Sequence, residues 1–275
     1  MNQQERDRAA YLLAKKYLSE LGVEGVTPQL IEKQLCLSET KGRTQSVGEI
    51  LMRLLESAQN ANMRPIVIGG SIGGVKNLKD VLFDFSPAAI VEAYPTWESV
   101  FDQIQLRLKP TGKLRMTPRS IWPQYCRTIL SASRFMAQFP EASDFYEWVD
   151  FFDKDERGRP ALPLLIAQQV AGVGFPLACD FLKELGYVNF GKPDVHLRDI
   201  FEGLELCLPK PSDYELSKAI IRVAKHANVT PYNADKLFWL IGSGYFYEDK
   251  TIGKDGRIGS RKEKFIEYAR SRLSE

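Results

Sequence analysis

Histidine and cysteine are scarce in this chain. Among 275 residues there are two histidines, His196 and His226, and four cysteines, Cys36, Cys126, Cys179 and Cys207. Two imidazoles are too few for an ordinary zinc site. The cysteines are far apart, with no CxxC pair, so they read as reduced thiols of a cytoplasmic protein rather than a disulfide framework. Long apolar runs are also missing. No segment has the length of a membrane span, and the N-terminus, MNQQERDRAAYLL, lacks the apolar core of a signal peptide. No membrane partner is therefore expected. Nor is there a strong charge of one sign: 37 Lys and Arg against 35 Asp and Glu give +2 at pH 7. That balance permits nucleic-acid binding without arguing for it, so any such surface must come from local clustering of Lys and Arg.

What is present is the composition of an ordinary globular protein, 44% hydrophobic and 26% charged. The patterning is helical almost throughout. Residues 4–21 read as an amphipathic helix with Ala10, Leu12, Leu13, Tyr17, Leu18 and Leu21 on one side. Thr27-Pro28 and Thr230-Pro231 pair an N-cap residue with a proline at the first helical position. Ser46/Glu49 and Ser212/Glu215 have capping-box spacing. The aromatics of residues 122–139, among them Trp122, Tyr125 and Phe135, read mostly as core, with one or two available to line a pocket. Only Ile66–Ile68 suggests a short strand. The glycine run that follows it lacks the GK[ST] ending of a P-loop and reads as a turn-rich connection. The expected fold class is mainly α, as residues 1–118 and 119–275 or as one compact unit.

Two loops are basic. Residues 107–119 hold Arg107, Lys109, Lys113, Arg115 and Arg119 around Pro110, Gly112 and Pro118. They suit phosphate contacts, which position DNA without reading its sequence, and equally a solvated surface loop. Residues 249–262 are basic and glycine-rich.

The most informative stretch is 161–201. An apolar helical run ends at Gly172-Val173-Gly174, a second runs from about Pro176 to Gly186, and Lys192-Pro193-Asp194-Val195-His196 opens a third. Glycines let a backbone approach an anion, and the helix behind them points free N–H groups at it. Each feature also has a structural reading: a helix C-cap and left-handed turn for the glycines, an N-cap for Asp194, a packed side chain for His196.

Gly172, Val173, Gly174 and Ala178, followed at the right distance by Pro193, Asp194 and His196, resemble the helix–hairpin–helix DNA glycosylases. The resemblance covers about 40 of the 275 residues. It implies two helical lobes flanking a cleft, a hairpin (161–187) that binds a phosphate of double-stranded DNA through Gly172, Val173, Gly174, Phe175 and Ala178, and a catalytic loop (191–198). Asp194 would be the catalytic carboxylate, held ionised and oriented by the N–H donors at its helix start. His196 would support that loop or contact a phosphate, and Lys113 and Arg115 of the basic loop are the further candidate DNA contacts. Bifunctional members carry a nucleophilic lysine two residues after the second glycine. Pro176 stands there, and Lys183 and Lys192 do not match the position, so the expectation is a monofunctional enzyme that leaves an abasic site. Some relatives hold an iron–sulfur cluster near the C-terminus. No cysteine follows Cys207, so no cluster is expected, and a monovalent cation at the hairpin carbonyls is the only bound group implied. The expected state is a monomer in the cytoplasm or on the nucleoid. The N-terminal 120 residues carry no motif of the common repair members, which leaves either base excision repair or defence against modified phage DNA as the role. The competing readings are a non-catalytic helix–hairpin–helix DNA-binding protein and a helical protein–protein module.

Overall fold

Side-chain caps start the helices where the sequence places them. Thr27, Ser46, Ser212 and Thr230 each accept a backbone N–H at a helix start. The Ser212/Glu215 box is complete, whereas at Ser46 the return arm is missing because the Glu49 carboxylate accepts from the Thr44 hydroxyl and pairs with Arg53 instead. The computed structural model describes residues 1–36, 43–60, 67–112, 114–117, 119–246, 249 and 252–273. Its helices are α1 (Gln3–Ser19), α2 (Pro28–Leu35), α3 (Val47–Ala58), α4 (Gly69–Ile72), α5 (Pro87–Ala93), α6 (Trp97–Leu108), α7 (Ile121–Met136), α8 (Ala142–Lys154), α9 (Ala161–Gln169), α10 (Phe175–Glu184), α11 (Val195–Gly203), α12 (Asp213–Ala227), α13 (Pro231–Ser243) and α14 (Lys262–Leu273). Short 3-10 turns lie at Val75–Leu78 and Phe83–Phe85.

The fold is mainly α, and no strand forms among the described residues. Ile66 lies outside them. Val67 and Ile68 make a turn rather than a strand, and α4 follows, its first N–H held by the Gln59 side chain. Among the described residues no helix is long and apolar enough to cross a membrane.

Two compact units result: Met1–Thr40 with Gly186–Glu275, and Lys41–Leu185. This differs from the boundary at residue 118 read from the sequence. The apolar stripe of α1, with Ala10, Ala14 and Leu18, is buried in one cluster with Leu197, Ile220, Phe238 and Phe265 of the C-terminal helices. α1 packs on α12, α13 and α14, and α11 packs on α13. Asp7, fully buried on α1, accepts from Arg222 Nε at 2.7 Å and lies 2.7 Å from His226 Nδ1, both on α12.

In the Lys41–Leu185 unit, α7 packs against α3, α5, α6 and α9, and α10 lies on α3 and α9. Trp122, Tyr125 and Phe135 of α7 are all buried, and the Tyr125 hydroxyl donates to Leu55 O at 3.0 Å. These three aromatics are core and do not line an open pocket.

Candidate active site and nucleic-acid interface

The turn between α9 and α10 exposes backbone and hides side chains. Ala171, Gly172 and Gly174 are exposed, while Val173, Phe175 and Ala178 are buried. Val173 and Phe175 can therefore meet a ligand only through their backbone. Gly172 has φ +79°, and a Cβ there would sit 2.7 Å from Thr128 Oγ1, so both conformation and space require glycine. Gly174 has φ −80°, a Cβ there would make only an ordinary contact of 3.8 Å with Pro176 Cδ, and it is the N-cap of α10 without a side-chain cap bond. The N–H groups of Gly172, Gly174 and Phe175 thus stand at a helix start with no partner among the described residues.

Two residues of α7 brace this turn. The Thr128 hydroxyl donates to Ala171 O at 2.7 Å, and the Ala171 N–H donates to the Ser131 hydroxyl at 2.9 Å. Pro176 is in the first turn of α10, where its missing N–H is no loss. Lys183 lies in the last turn of the same helix, 3.4 Å from Asp180, about 10 Å along the axis from Pro176.

Asp194 and His196 belong to the other unit. Asp194 is the N-cap of α11: its Oδ1 accepts from His196 N at 2.9 Å and Leu197 N at 3.2 Å. Its second carboxylate oxygen has no hydrogen-bond partner among the described residues, and the residue is half-buried. The cap bonds orient the group, as expected, but they do not hold it ionised. Burial, followed by the nearby Asp235 carboxylate, pushes its pKa above the ordinary value, against the opposing pull of the Leu197 N–H, His196 and Lys192.

His196 is half-buried and packs against α13, where a Cβ on Gly242 would lie 2.6 Å from His196 Cβ. Its Nδ1 is buried without a hydrogen bond among the described residues. Arg115 is exposed on the basic loop, and Lys113 lies outside the described residues.

Sequence reading missed the contribution of α13. Buried Asp235 accepts from Lys192 N at 2.9 Å and so fixes the strand of chain that leads into Asp194. Trp239, one turn on, shares a helix face with Asp235 and Gly242. The Lys236 ammonium is 4.8 Å from the Trp239 ring, Tyr245 is 6.4 Å from it, and Arg257 is 4.0 Å from the Tyr245 ring. Among the described residues no three His, Cys, Asp or Glu side chains gather as a metal site.

No family model and no curated protein matches this chain. Its fold is similar to that of the Methanocaldococcus jannaschii 8-oxoguanine glycosylase/lyase, whose crystal structure holds a 15mer DNA containing 8-oxoguanine. The TM-score is 0.50 at 15% identity, over 82% of this chain and 95% of that one.

Proposed function

We propose that this protein is a monofunctional DNA glycosylase, which hydrolyses the N-glycosidic bond of an extruded base and leaves an abasic site. One observation carries the reading. In a fold shared with a DNA-bound glycosylase/lyase, Asp194 is oriented by two backbone donors through one oxygen and keeps the other uncommitted.

The hairpin N–H groups of Gly172, Gly174 and Phe175 hold a DNA phosphate, aided by the positive end of α10. The carbonyls of Val170, Ala171 and Gly174 already accept hydrogen bonds, so a monovalent cation at the turn would draw on those of Gly172 and Val173. The target nucleotide leaves the stack so that the glycosidic bond becomes accessible. As the C1′–N bond breaks, its electrons pass to the base and positive charge grows on C1′ and the ring oxygen. The free oxygen of Asp194 stabilises that charge. A water attacks C1′ and gives its proton to Asp194; Asp194 then releases that proton to solvent, which supplies one proton to the departing base anion, so the carboxylate is restored. A raised pKa makes Asp194 the better base for this step. Pro176 cannot form a Schiff base, and Lys183 is at the far end of α10, so strand cleavage by an amine is not expected.

The test is base release from duplexes carrying 8-oxoguanine, uracil, alkylated bases or mismatches, and from glucosylated phage DNA, with and without alkali. Alkali-dependent breaks establish the monofunctional reaction, and the substrate that reacts separates repair from phage defence. Tight, salt-dependent binding without release from any duplex would replace this reading with that of a non-catalytic DNA-binding protein.

A further inference from the structure

In the Lys41–Leu185 unit a cavity of about 380 Å³ opens beside Phe83 and Tyr94, with Ser99, Asp102, Gln103 and Arg107 along its polar side. None of these residues belongs to the hairpin or to the Asp194 loop. The two rings stand 5.8 Å apart and are tilted by 39°. Tyr94 is buried and fixed by its hydroxyl, which donates to Val81 O at 2.7 Å. Phe83, by contrast, is 43% exposed.

The backbone works against its own preferences to hold Phe83 there. Phe83, Asp84 and Phe85 have φ of 49°, 52° and 60°, three consecutive left-handed residues without a glycine. That conformation is unfavourable for each of them and persists only where the surroundings over-determine it. Here they do. Asp84 N donates to Lys79 O at 2.8 Å, and the turn lies so close on α3 that a Cβ at Gly48 would sit 3.0 Å from Asp84 O. Burial alone would not select a strained turn that leaves a phenyl ring in water.

The charges around the ring suit a nucleotide. Arg107 is oriented by a hydrogen bond to Asp80 O at 3.1 Å. It begins the exposed basic series Arg107, Lys109, Arg115 and Arg119, which offers a track for phosphates. Thr111 N donates to Ser71 O at 3.0 Å, which ties that loop to the end of α4. Asp102 accepts only, Arg107 donates only, and Gln103 does both. That combination fits the edge of a base bearing an exocyclic amine.

We propose that the cleft formed by Phe83, Tyr94, Asp102 and Arg107 is a second nucleobase site, which takes an unpaired, amine-bearing base of bound DNA by stacking it on Phe83. The proposal rests on the DNA-binding reading above but not on its chemistry.

Anisotropy with labelled oligo(dA) and oligo(dT) tests it on the full-length protein. Wild type should prefer oligo(dA), and Phe83→Ala should weaken oligo(dA) binding about tenfold, the worth of one stacked base. Phe83→Leu, which keeps the apolar bulk at the strained turn, should show a similar loss, and Asp102→Asn should reduce the preference for dA over dT. Unchanged oligo(dA) affinity in both Phe83 variants, with duplex binding and base release intact, would overturn the second site alone. No salt-dependent binding of any DNA by wild type would overturn the site together with the DNA reading. Binding of free dAMP as tight as that of oligo(dA) would make this a nucleotide site instead and overturn the DNA assignment.

Discussion

Replacing Asp194 by Asn separates its two roles. Asn keeps a side-chain oxygen for the N–H groups of His196 and Leu197, at 2.9 and 3.2 Å in the wild type, and is as good an N-cap as Asp. What it loses is the negative charge. A unit charge about 4 Å from the developing positive sugar is worth about 4 kcal/mol at an effective dielectric of about 20. At about 1.4 kcal/mol per factor of ten, the base-release rate should fall about a thousandfold. Stability should not fall. The raised pKa of Asp194 means that folding favours its protonated form, so its contribution is present below the ordinary carboxylate range and is lost as pH rises through the raised value. At neutral pH the neutral Asn also removes the repulsion from Asp235. Asp194→Ala, in contrast, loses the cap and about 1 kcal/mol. Single-turnover base release and urea denaturation of the three proteins provide the comparison. If Asp194→Asn keeps activity within tenfold of wild type, Asp194 is only a cap and the proposed mechanism is wrong.

Because Asp194 must be ionised to act, activity should fall as pH drops through its raised pKa, and Asp235→Asn should move this acid limb of the rate profile to lower pH. An unmoved limb would mean that the Asp235 carboxylate does not tune Asp194. Gly174→Ala, with φ −80° and only an ordinary contact to Pro176 at its Cβ, should fold normally yet weaken duplex binding, whereas Gly172→Ala should lose about 1–2 kcal/mol of stability as well. Equal stability of the two in denaturant melts would contradict the requirement for glycine at position 172. Borohydride should trap no covalent complex with an abasic duplex, and an adduct mapped to Lys192 would make the protein a lyase after all. Asp7→Ala should destabilise by about 3 kcal/mol in urea melts, the low end for a broken buried pair because Arg222 stays partly in water.

Local chemistry was legible in the sequence, and long-range placement was not. Helix starts at Thr27, Ser46, Ser212 and Thr230 could be read because a cap and its helix are neighbours in the chain. The Gly172–Gly174 turn and the Asp194 cap were readable for the same reason. Thr128 and Ser131 escaped notice because nothing in their own neighbourhood on α7 says that they face Ala171, 43 and 40 residues later. Asp235 carries no local signal either, since only the fold brings it to Lys192 N. The strain at Phe83–Phe85 has no sequence signal at all, since the glycine or asparagine that would announce such a turn is absent. The division into units differs from the boundary read in the sequence because an amphipathic stripe tells that a helix is buried, and not against which partner.

That division bears on how the protein is made. The stripe of α1 is complete within the first 19 residues, but the helices that cover it, α12 to α14, begin only at Asp213. A ribosome adding about 5–20 residues per second leaves this stripe uncovered for roughly ten to forty seconds, while the whole Lys41–Leu185 unit is synthesised and can fold. The nascent chain therefore carries the uncovered stripe of α1 throughout that interval, which gives a chaperone a long opportunity to act on α1.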